Sequence, residues 1–564
     1  MAVIAAMTAS CSSNEDLGTA GPGNGTNEAG VGYATFTINL PTTSGTRAAG
    51  DPTFEDGDAN EYKVNDATLL IFKKVKATDK EGDYTFVEKA ELGSMAPWQK
   101  PNPDETGVTT HAKITAKLES VNKNETNFAL VLLNNGTGTN VKVAMPSVGE
   151  KFSAWNAKTT DKFAKPENGF YMANAPLFKD HNVTTLVAID KDKIYPTEEQ
   201  AAKSAATDVY VERGLAKVTL GTGTAGEKTV TGVTYKGDKV TINNWALDVT
   251  NTKTFPIHNV DGLTDDYAGI WNNTDTPAGS NGATTQRFVD NNPKTTVKRV
   301  YWGKDPNYDN KDADKTALKA EFNCVANANV KEDPAKPLYC LENTFNLDNM
   351  KQGQTTRVVF KATYKPASLP VGETTFYKIG KNTAIWSEAD LKKEIEAAVA
   401  SVVSGAAGKT TVTLNAGAGK NNITAAGTHY ITEDNISVTD ATITITPENI
   451  KAINTQLGLK ESEKVGISTY AGGESYYIAR IKHFGDALTK WESGPYDDKK
   501  LEYLGRYGVL RNNWYELTVN SVSGPGYPSV PEVKPNTPDD EDDKYINVSV
   551  KILSWAKRSQ DVNL

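Results

Sequence analysis

The C-terminal segment Lys544–Trp555, KYINVSVKILSW, alternates apolar residues (Ile546, Val548, Val550 and Ile552) with polar ones, the period of a strand with one buried face. It follows the proline-rich, acidic stretch GPGYPSVPEVKPNTPDDEDDK, which separates it from the preceding chain. An unpaired strand exposes a row of backbone N–H and C=O groups, so it needs a sheet to receive it. The sequence therefore predicts a strand on a flexible linker, which keeps it extended and discourages it from folding back.

A second detached strand is predicted near the N-terminus. YATFTINL, residues 33–40, follows a glycine-rich linker and places Ala34, Phe36, Ile38 and Leu40 on one side. It ends at a proline, and the next stretch, TTSGTRAAGDP, consists mostly of small and polar residues around Arg47. The two detached strands share their period and apolar character, so either could occupy the same groove.

The composition favours a mainly β chain. At 564 residues there is room for two to four domains, and threonine, asparagine, glycine and valine are abundant, as is typical of strands and turns. The net charge of −9 is spread without a basic stripe, so no nucleic-acid partner is expected. No apolar run reaches the length of a transmembrane helix.

Three cysteines are present. Cys324 and Cys340 form a candidate disulfide if the compartment is oxidising, and two buried free thiols are the equal alternative. Cys11 follows a short apolar run that ends in small residues, and this pattern resembles the end of a bacterial lipoprotein signal in which the cysteine is lipidated. Thr8 and the missing basic region depart from that pattern, and a disordered leader with a chance cysteine is the alternative.

Strands dominate both halves of the chain, and one helix is predicted within the second. We expect a change of module near TEEQAAKSAATD and a β-sandwich on either side of it. SEADLKKEIEAAVASVVSG has Ser387 as N-cap, Asp390 at the capping-box position and Gly405 as a stop signal. Its apolar stripe predicts a helix near residues 387–404 that lies against the sheet as a structural insertion.

The motifs that could carry chemistry are incomplete. GTGTAG, Gly221–Gly226, lacks the helix that a dinucleotide site needs, and we interpret it as a hairpin loop. In the calcium-loop-like DPNYDNKDADKT, Asn310 and Thr316 replace the required glycine and glutamate. The five histidines are widely spaced. We therefore expect no enzyme activity, no catalytic residue, no metal site and no cofactor.

Several stretches resemble the fimbrillins, the subunits of type V pili in Bacteroidetes-type bacteria, and in particular their minor-fimbria (Mfa-like) branch. VYVERGLAKVTL is similar to the strand that opens the second domain of these proteins, and YCLENT followed by TTRVVFKATY is similar to the middle of that domain. YGVLRNNWYELTVNSVSGPGYP, Tyr507–Pro528, resembles the family's most diagnostic segment. With the leader and the last strand, the resemblance spans nearly the whole chain.

This resemblance implies a function and a mechanism. The implied protein is a fimbrial shaft subunit that supports adhesion and biofilm formation, and its precursor is held at the outer membrane as a lipoprotein through Cys11. An arginine-specific protease cuts between Arg47 and Ala48, after the first strand, and the C-terminal strand of another subunit fills the vacated groove. The implied partners are further copies of the chain, tip and anchor proteins, and the protease.

The same resemblance implies two transthyretin-like sandwiches in tandem. We expect a signal remnant at 1–10, a lipidated propeptide at 11–47, an N-terminal sandwich at 48–205, a C-terminal sandwich at 206–525, a linker at 526–544 and a donor strand at 545–564.

Two facts about the sequence support the processing interpretation. Arg47 is the first of nine arginines and the next is Arg213, so the predicted N-terminal domain offers an arginine-directed protease no other target. The flanks of Arg47 suit an exposed, cleavable loop, although chance nicking of any flexible loop is the alternative. The main competing function is a surface lipoprotein that binds glycan or a host protein through Trp98, Trp302 or Trp491. A secreted hydrolase has no motif to support it.

Overall fold

The structure is a computed structural model. It describes residues 25–39, 59–61, 63–93, 111–121, 124–166, 169–179, 182–261, 298–307, 320–344, 347–483, 504–535, 537–539 and 546–554. For residues 59, 93, 111, 179, 298, 299, 347 and 546–554 the description covers the backbone alone. Over these residues the chain is mainly β, as predicted.

The N-terminal part forms one large sheet with the strand order β3-β2-β5-β6-β10-β1-β4, in which β9 pairs with β5. Two short strands outside this sheet, β7 and β8, pair with each other. The ten strands have these bounds: β1 Gly32–Asn39, β2 Ala67–Lys74, β3 Thr85–Gly93, β4 His111–Leu118, β5 Thr126–Leu133, β6 Met172–Asn174, β7 Leu177–Lys179, β8 Asn182–Thr184, β9 Val187–Ile189 and β10 Thr207–Arg213.

Two short helices accompany this sheet: α1 Phe152–Asn156 and α2 Glu198–Ala202. The apolar runs of β2 and β5 lie side by side and are buried, and Phe72 and Trp155 join the same core. Thr197 caps α2 by accepting a hydrogen bond from the backbone N–H of Gln200, which fixes where that helix begins.

The second part contains two four-stranded sheets, β17-β11-β25-β26 and β12-β13-β18-β24. Val218 and Leu517 of the first sheet share a buried core with Trp245 and Phe360 of the second. The bounds are β11 Leu215–Leu220, β12 Gly226–Thr229, β13 Lys239–Asp248, β14 Thr250–Asn251, β15 Lys298–Arg299, β16 Phe322–Asn323, β17 Leu338–Leu341, β18 Arg357–Lys365, β24 Glu474–Arg480, β25 Asn513–Val522 and β26 Ile546–Ser554.

The chain changes sheets at Gly214, later than the predicted boundary between residues 205 and 206. Strand β10 pairs with β1 and β6 in the N-terminal sheet, and β11 begins one residue after Gly214. A Cβ atom at Gly214 would lie 2.7 Å from a ring carbon of Phe163, which stacks on Tyr171. Only glycine lets the chain pass this close to the aromatic pair, so the crossing point is fixed there.

An insertion between β18 and β24 has a core of its own. It holds α3 Glu388–Val402, α4 Pro447–Gln456, β19 Phe376–Ile379, β20 Thr410–Val412, β21 Gly427–His429, β22 Ile436–Val438 and β23 Ile467–Tyr470. The predicted helix is present as α3, with Ser387 accepting from the backbone N–H of Asp390 at 3.1 Å. Its buried face packs within this separate core, with α4 and β19, rather than on a main sheet as expected.

No helix among the described residues is long and apolar enough to cross a membrane.

Candidate functional site

The first strand, β1, lies in the interior of the N-terminal sheet. All eight of its residues pair with antiparallel β4, and Phe36–Asn39 also pair with parallel β10. Tyr195, in the chain segment that precedes β10, exchanges two backbone hydrogen bonds with Tyr33, of 2.7 and 2.8 Å. Hydrogen-bonding neighbours therefore flank β1 on both edges, as the predicted receiving groove requires.

The side chains of β1 are fully buried on one face and partly buried on the other. Ala34, Phe36 and Ile38 have no exposed surface, as expected for the apolar side of the predicted strand. On the opposite face the Thr35 hydroxyl is also buried, donates to the carbonyl oxygen of Ala201 in α2 at 2.7 Å and lies 2.9 Å from the hydroxyl of Thr115 in β4. Helix α2 thus covers Thr35, which lies on the side of the strand that the alternation pattern assigned to solvent.

The energetics of this site favour a filled groove. Burying Phe36 and Ile38 contributes about 1.5–3 kcal/mol each as an upper bound, and each ladder hydrogen bond adds about 0.5–1.5 kcal/mol net. Without β1 the facing edges of β4 and β10 would expose unpaired backbone groups and an apolar slot. Only another strand of similar alternation would satisfy both edges at once.

The last strand, β26, lies at an edge and pairs with one neighbour. It runs antiparallel to β25 at the end of the four-stranded sheet, with a bulge between Val519 and Ser521. The register places each apolar residue of the predicted donor opposite a buried residue of β25: Ile546 opposite Val522, Val548 opposite Val519, Val550 opposite Leu517 and Ile552 opposite Tyr515. The strand therefore does have a local partner, and the expectation that the linker keeps it from folding back is wrong for this structure.

The proline-rich segment before β26 is docked on the protein. Tyr527, Val530 and Val533 pack against apolar clusters that include residues of the outer side of the β12-β13-β18-β24 sheet. Tyr476 and Tyr527 exchange backbone hydrogen bonds of 2.8 Å. At its far end the Asp539 carboxylate is buried and accepts from the Thr355 hydroxyl at 2.9 Å. Its described residues form a strap, defined here as 524–539, rather than the predicted free linker.

A buried ionic cluster holds the chain just beyond the predicted cleavage point. The Glu61 carboxylate lies 2.8 Å from the Lys217 ammonium and accepts from the Tyr339 hydroxyl at 2.6 Å, and all three groups lie at the joint between the two parts of the molecule. The Glu61 backbone carbonyl accepts from Arg213 at 2.9 Å, and the Lys217 ammonium lies 3.9 Å from the Trp514 ring centroid. Glu61 was not predicted as a site residue, because its partners are distant in sequence.

The remaining predicted site residues are accounted for as follows. Cys11, Leu40, Arg47 and Ala48 lie outside the described residues. Cys324 is exposed and Cys340 is buried, and no disulfide joins them, so the candidate bridge is not formed and only one of the two cysteines is buried. Burial raises the pKa of the Cys340 thiol to about 12.

The incomplete motifs have structural roles. GTGTAG is followed by β12, as expected, but β11 and β12 belong to different sheets, so the stretch is a connection and the hairpin interpretation is wrong. In the calcium-like loop, the Asp305 carboxylate accepts from Asn307 and Asn251, and burial raises its pKa to about 7. Among the described residues there is no group of three or more side chains suited to holding a metal. Of the tryptophans considered for glycan binding, Trp302 is buried, and Trp98 and Trp491 lie outside the described residues.

The described chain is thus a mainly β protein with β1 in the interior of one sheet and β26 at the edge of another. Residues 468–561, a range that includes β24, β25 and β26, match the family model described as "Major fimbrial subunit protein type IV, Fimbrillin, C-terminal". The predicted resemblance to the fimbrillins is confirmed by this match.

Similar solved structures include three crystal structures of proteins from Parabacteroides distasonis ATCC 8503. Two are candidate cell adhesion proteins. The first is 10% identical to this chain with a TM-score of 0.37, and the match covers 93% of this chain and 98% of the other. The second is 11% identical with a TM-score of 0.35, and the match covers 93% of this chain and 99% of the other. The third is a fimbrial assembly protein, 11% identical with a TM-score of 0.27, covering 63% and 93%. Comparison with curated proteins finds no match.

Proposed function

We propose that this chain is a shaft subunit of cell-surface fimbriae of the Mfa-like kind that polymerises by donor-strand exchange. In this proposal it comprises two transthyretin-like sandwiches in tandem and is exported as an outer-membrane lipoprotein through Cys11. It is then activated by cleavage of the Arg47–Ala48 bond and supports adhesion and biofilm formation in contact with tip and anchor proteins. The observation that carries the proposal is the interior position of β1, which is paired on both edges and has a fully buried apolar face.

The pairing of the two terminal strands supports exchange as a favourable step. In the closed monomer β26 forms one ladder, with β25. In the vacated groove of a neighbouring subunit the same strand would form two, because β4 and β10 would both be open to it. The donor exchanges one set of hydrogen bonds for two and buries its apolar residues in a preformed slot, which is β-augmentation.

The contact has the geometry of a filament. A tail of one subunit in the groove of the next is a head-to-tail contact between two different surfaces, so it does not close on a dimer and can continue without limit. The strap and Glu61 would remain fixed to the body on either side of the exchange, so only the terminal strands need to move.

The test uses the purified full-length chain and an arginine-specific protease. Cleavage is expected to release the segment that ends at Arg47 and to convert monomers into SDS-resistant ladders. Arg47→Lys keeps the charge but removes the guanidinium, so this variant should stay monomeric under the same treatment. Deleting residues 545–564 should abolish ladders while the cleaved monomer remains folded. If the truncated chain polymerises as well as the intact one, the donor assignment is wrong.

A further inference from the structure

Arginine is rare in this chain compared with lysine. Of the 61 basic residues nine are arginine, so 52 are lysine (61 − 9). The nine arginines are at positions 47, 213, 287, 299, 357, 480, 506, 511 and 558. Both side chains serve equally well on a solvated surface, so a bias of this size suggests that the two are used in different places.

Every arginine whose side chain the structure describes is buried. The exposed fractions are 0% for Arg213, 1% for Arg357, 5% for Arg480, 3% for Arg506 and 3% for Arg511. Arginine is ordinarily an exposed residue and is fully buried only when it is paired. Lysine follows the ordinary pattern at most described positions, with side chains such as Lys381 at 80% and Lys393 at 74%, and the buried exceptions are Lys142, Lys217 and Lys378.

Buried arginines are retained where a guanidinium is needed. Arg357 donates from two nitrogens at once, to Asp248 at 2.8 Å and to the carbonyl oxygen of Pro531 in the strap at 2.8 Å. Arg511 donates to the Thr254 hydroxyl at 3.0 Å and lies 3.4 Å from the Glu342 carboxylate. A lysine ammonium, as a single compact charge, could not reach such divergent acceptors together. At these positions arginine is required by the fold, and elsewhere on the described surface lysine takes its place.

We propose that the folded body is built to be refractory to a protease that reads guanidinium and not ammonium. Such an enzyme binds an extended substrate segment and places one arginine side chain in a pocket with a carboxylate, which a buried arginine within a paired strand cannot enter. The inference deepens the proposed function and rests on its cleavage step. Hydrolysis after Arg47 consumes one water, leaving a carboxylate on Arg47 and an amine on Ala48, and a body whose described arginine side chains are all buried resists the same protease at those positions.

The experiment compares an arginine-specific and a lysine-specific protease on the native full-length chain. Both are first matched in activity on the urea-denatured chain, and products are mapped by mass spectrometry. We expect the denatured chain to be cut after all five arginines that are buried in the native fold. In the native chain their cleavage should be slower by a factor on the order of 10³, because each requires opening of the core. The lysine-specific enzyme should cut native exposed lysines readily.

A matched pair of substitutions distinguishes resistance that comes from the burial of the arginines from resistance that comes from general rigidity of the fold. Lys420 is exposed and directly follows a turn with two glycines of positive φ, Gly417 and Gly419. Lys420→Arg should let the arginine-specific protease cut the native chain there, while Lys420→Gln should not. If the lysine-specific enzyme cuts a different lysine first, the same pair of substitutions is made at that residue.

Three results would overturn the inference: cleavage of the native chain after any of the five buried arginines, resistance of the native chain to both proteases alike, or resistance of the Lys→Arg variant at a site where lysine is cut. Cleavage after Arg47 is scored separately. A chain that resists at the five arginines but is not cut at Arg47 would contradict the proposed function and leave this inference standing.

Discussion

The first and last strands of this chain look alike in sequence and occupy opposite situations in the fold. Strand β1 is an interior strand with neighbours on both edges, while β26 is an edge strand with one. An interior strand can leave only if its sheet opens, whereas an edge strand can detach with little change to the rest. The chain therefore holds the strand in its own groove by two ladders and its tail by one.

The contacts that anchor the chain next to each of the two strands also differ in kind. After β1 the first described anchor is Glu61, an ionic contact in the domain joint, and before β26 it is Asp539, a hydrogen-bonded contact at the end of the strap. Both anchors belong to the folded body and not to the strands, so each strand can move while the body stays assembled.

Truncating the core of β1 should cost far more than removing β26. Phe36→Ala leaves a cavity at a fully buried position and should lower the unfolding free energy of the N-terminal sheet by about 3–5 kcal/mol. Hydrogen exchange of the β4 and β10 amides, followed as a function of urea concentration, measures this loss of unfolding free energy. Deleting residues 545–564 should leave those amides unchanged and accelerate exchange only in β25. Thr37→Ala, at a half-buried position of the same strand, is the matched control, and an equal loss in that variant would contradict the assignment of β1 as a core strand.

Removing the charge of Glu61 should loosen the domain joint. Glu61→Gln leaves the Lys217 ammonium buried beside a neutral amide, and breaking a buried pair in this way costs about 3 kcal/mol. Urea-dependent hydrogen exchange of the β11 and β17 amides, which flank the cluster, reports the loss. The double variant Glu61→Gln, Lys217→Met should recover part of the stability, since it removes the unpaired charge. A double variant as unstable as the sum of the single ones would show that the pair does not couple.

The pattern of β1 could be predicted from sequence because alternation directly reflects the two faces of a strand. The burial of Thr35 on the second face could not be predicted: it is covered by α2, which begins 163 residues further along the chain (198 − 35), and no local pattern reports so distant a neighbour. For the same reason the sequence indicated neither Glu61 nor the walls of the groove, although the period-2 segment HAKITAKL identifies β4 as a strand in retrospect.

The docking of the strap could not be predicted from its prolines, because a proline-rich segment is equally typical of an extended free linker. Tyr527, Val530 and Val533 recur every third residue, and three is the period of a polyproline II helix, so one apolar side of such a segment can lie along a sheet. The insertion also contains a second helix, α4, that was not predicted. Its sequence has a clear start signal, Thr446 followed by Pro447 with Asn449 closing a capping box, but no long apolar stripe.

Acidity should stabilise the N-terminal part of the molecule. Burial raises the pKa of Glu81 from 4.5 to about 7, and its carboxylate accepts from the backbone N–H groups of Thr185 and Leu186. The folded chain therefore binds this proton more tightly than the unfolded chain, and the unfolding free energy should rise by about 2–3 kcal/mol as pH falls from 8 to 5. Hydrogen exchange of the β5 amides at the two pH values, corrected for intrinsic rates, measures it. Glu81→Gln should remove most of this rise, and a variant with the same pH dependence would exclude Glu81 as its source.

The smallest effect is expected at the strap, because its anchor acts on β26 only through the chain that joins them. Thr355→Val removes the buried hydrogen bond to Asp539, worth about 1 kcal/mol, and frees the end of the strap. A freed strap lowers the effective concentration of β26 beside β25, so the β25–β26 amides should exchange about fivefold faster while those of β1 do not change. Glu532→Gln, which removes an exposed ion pair with Lys464 on the same segment, is the matched control and should have almost no effect. Equal acceleration in both variants would mean that the edge strand responds to any disturbance of the segment, and that the buried Asp539 contact does not fix the point from which the tail departs.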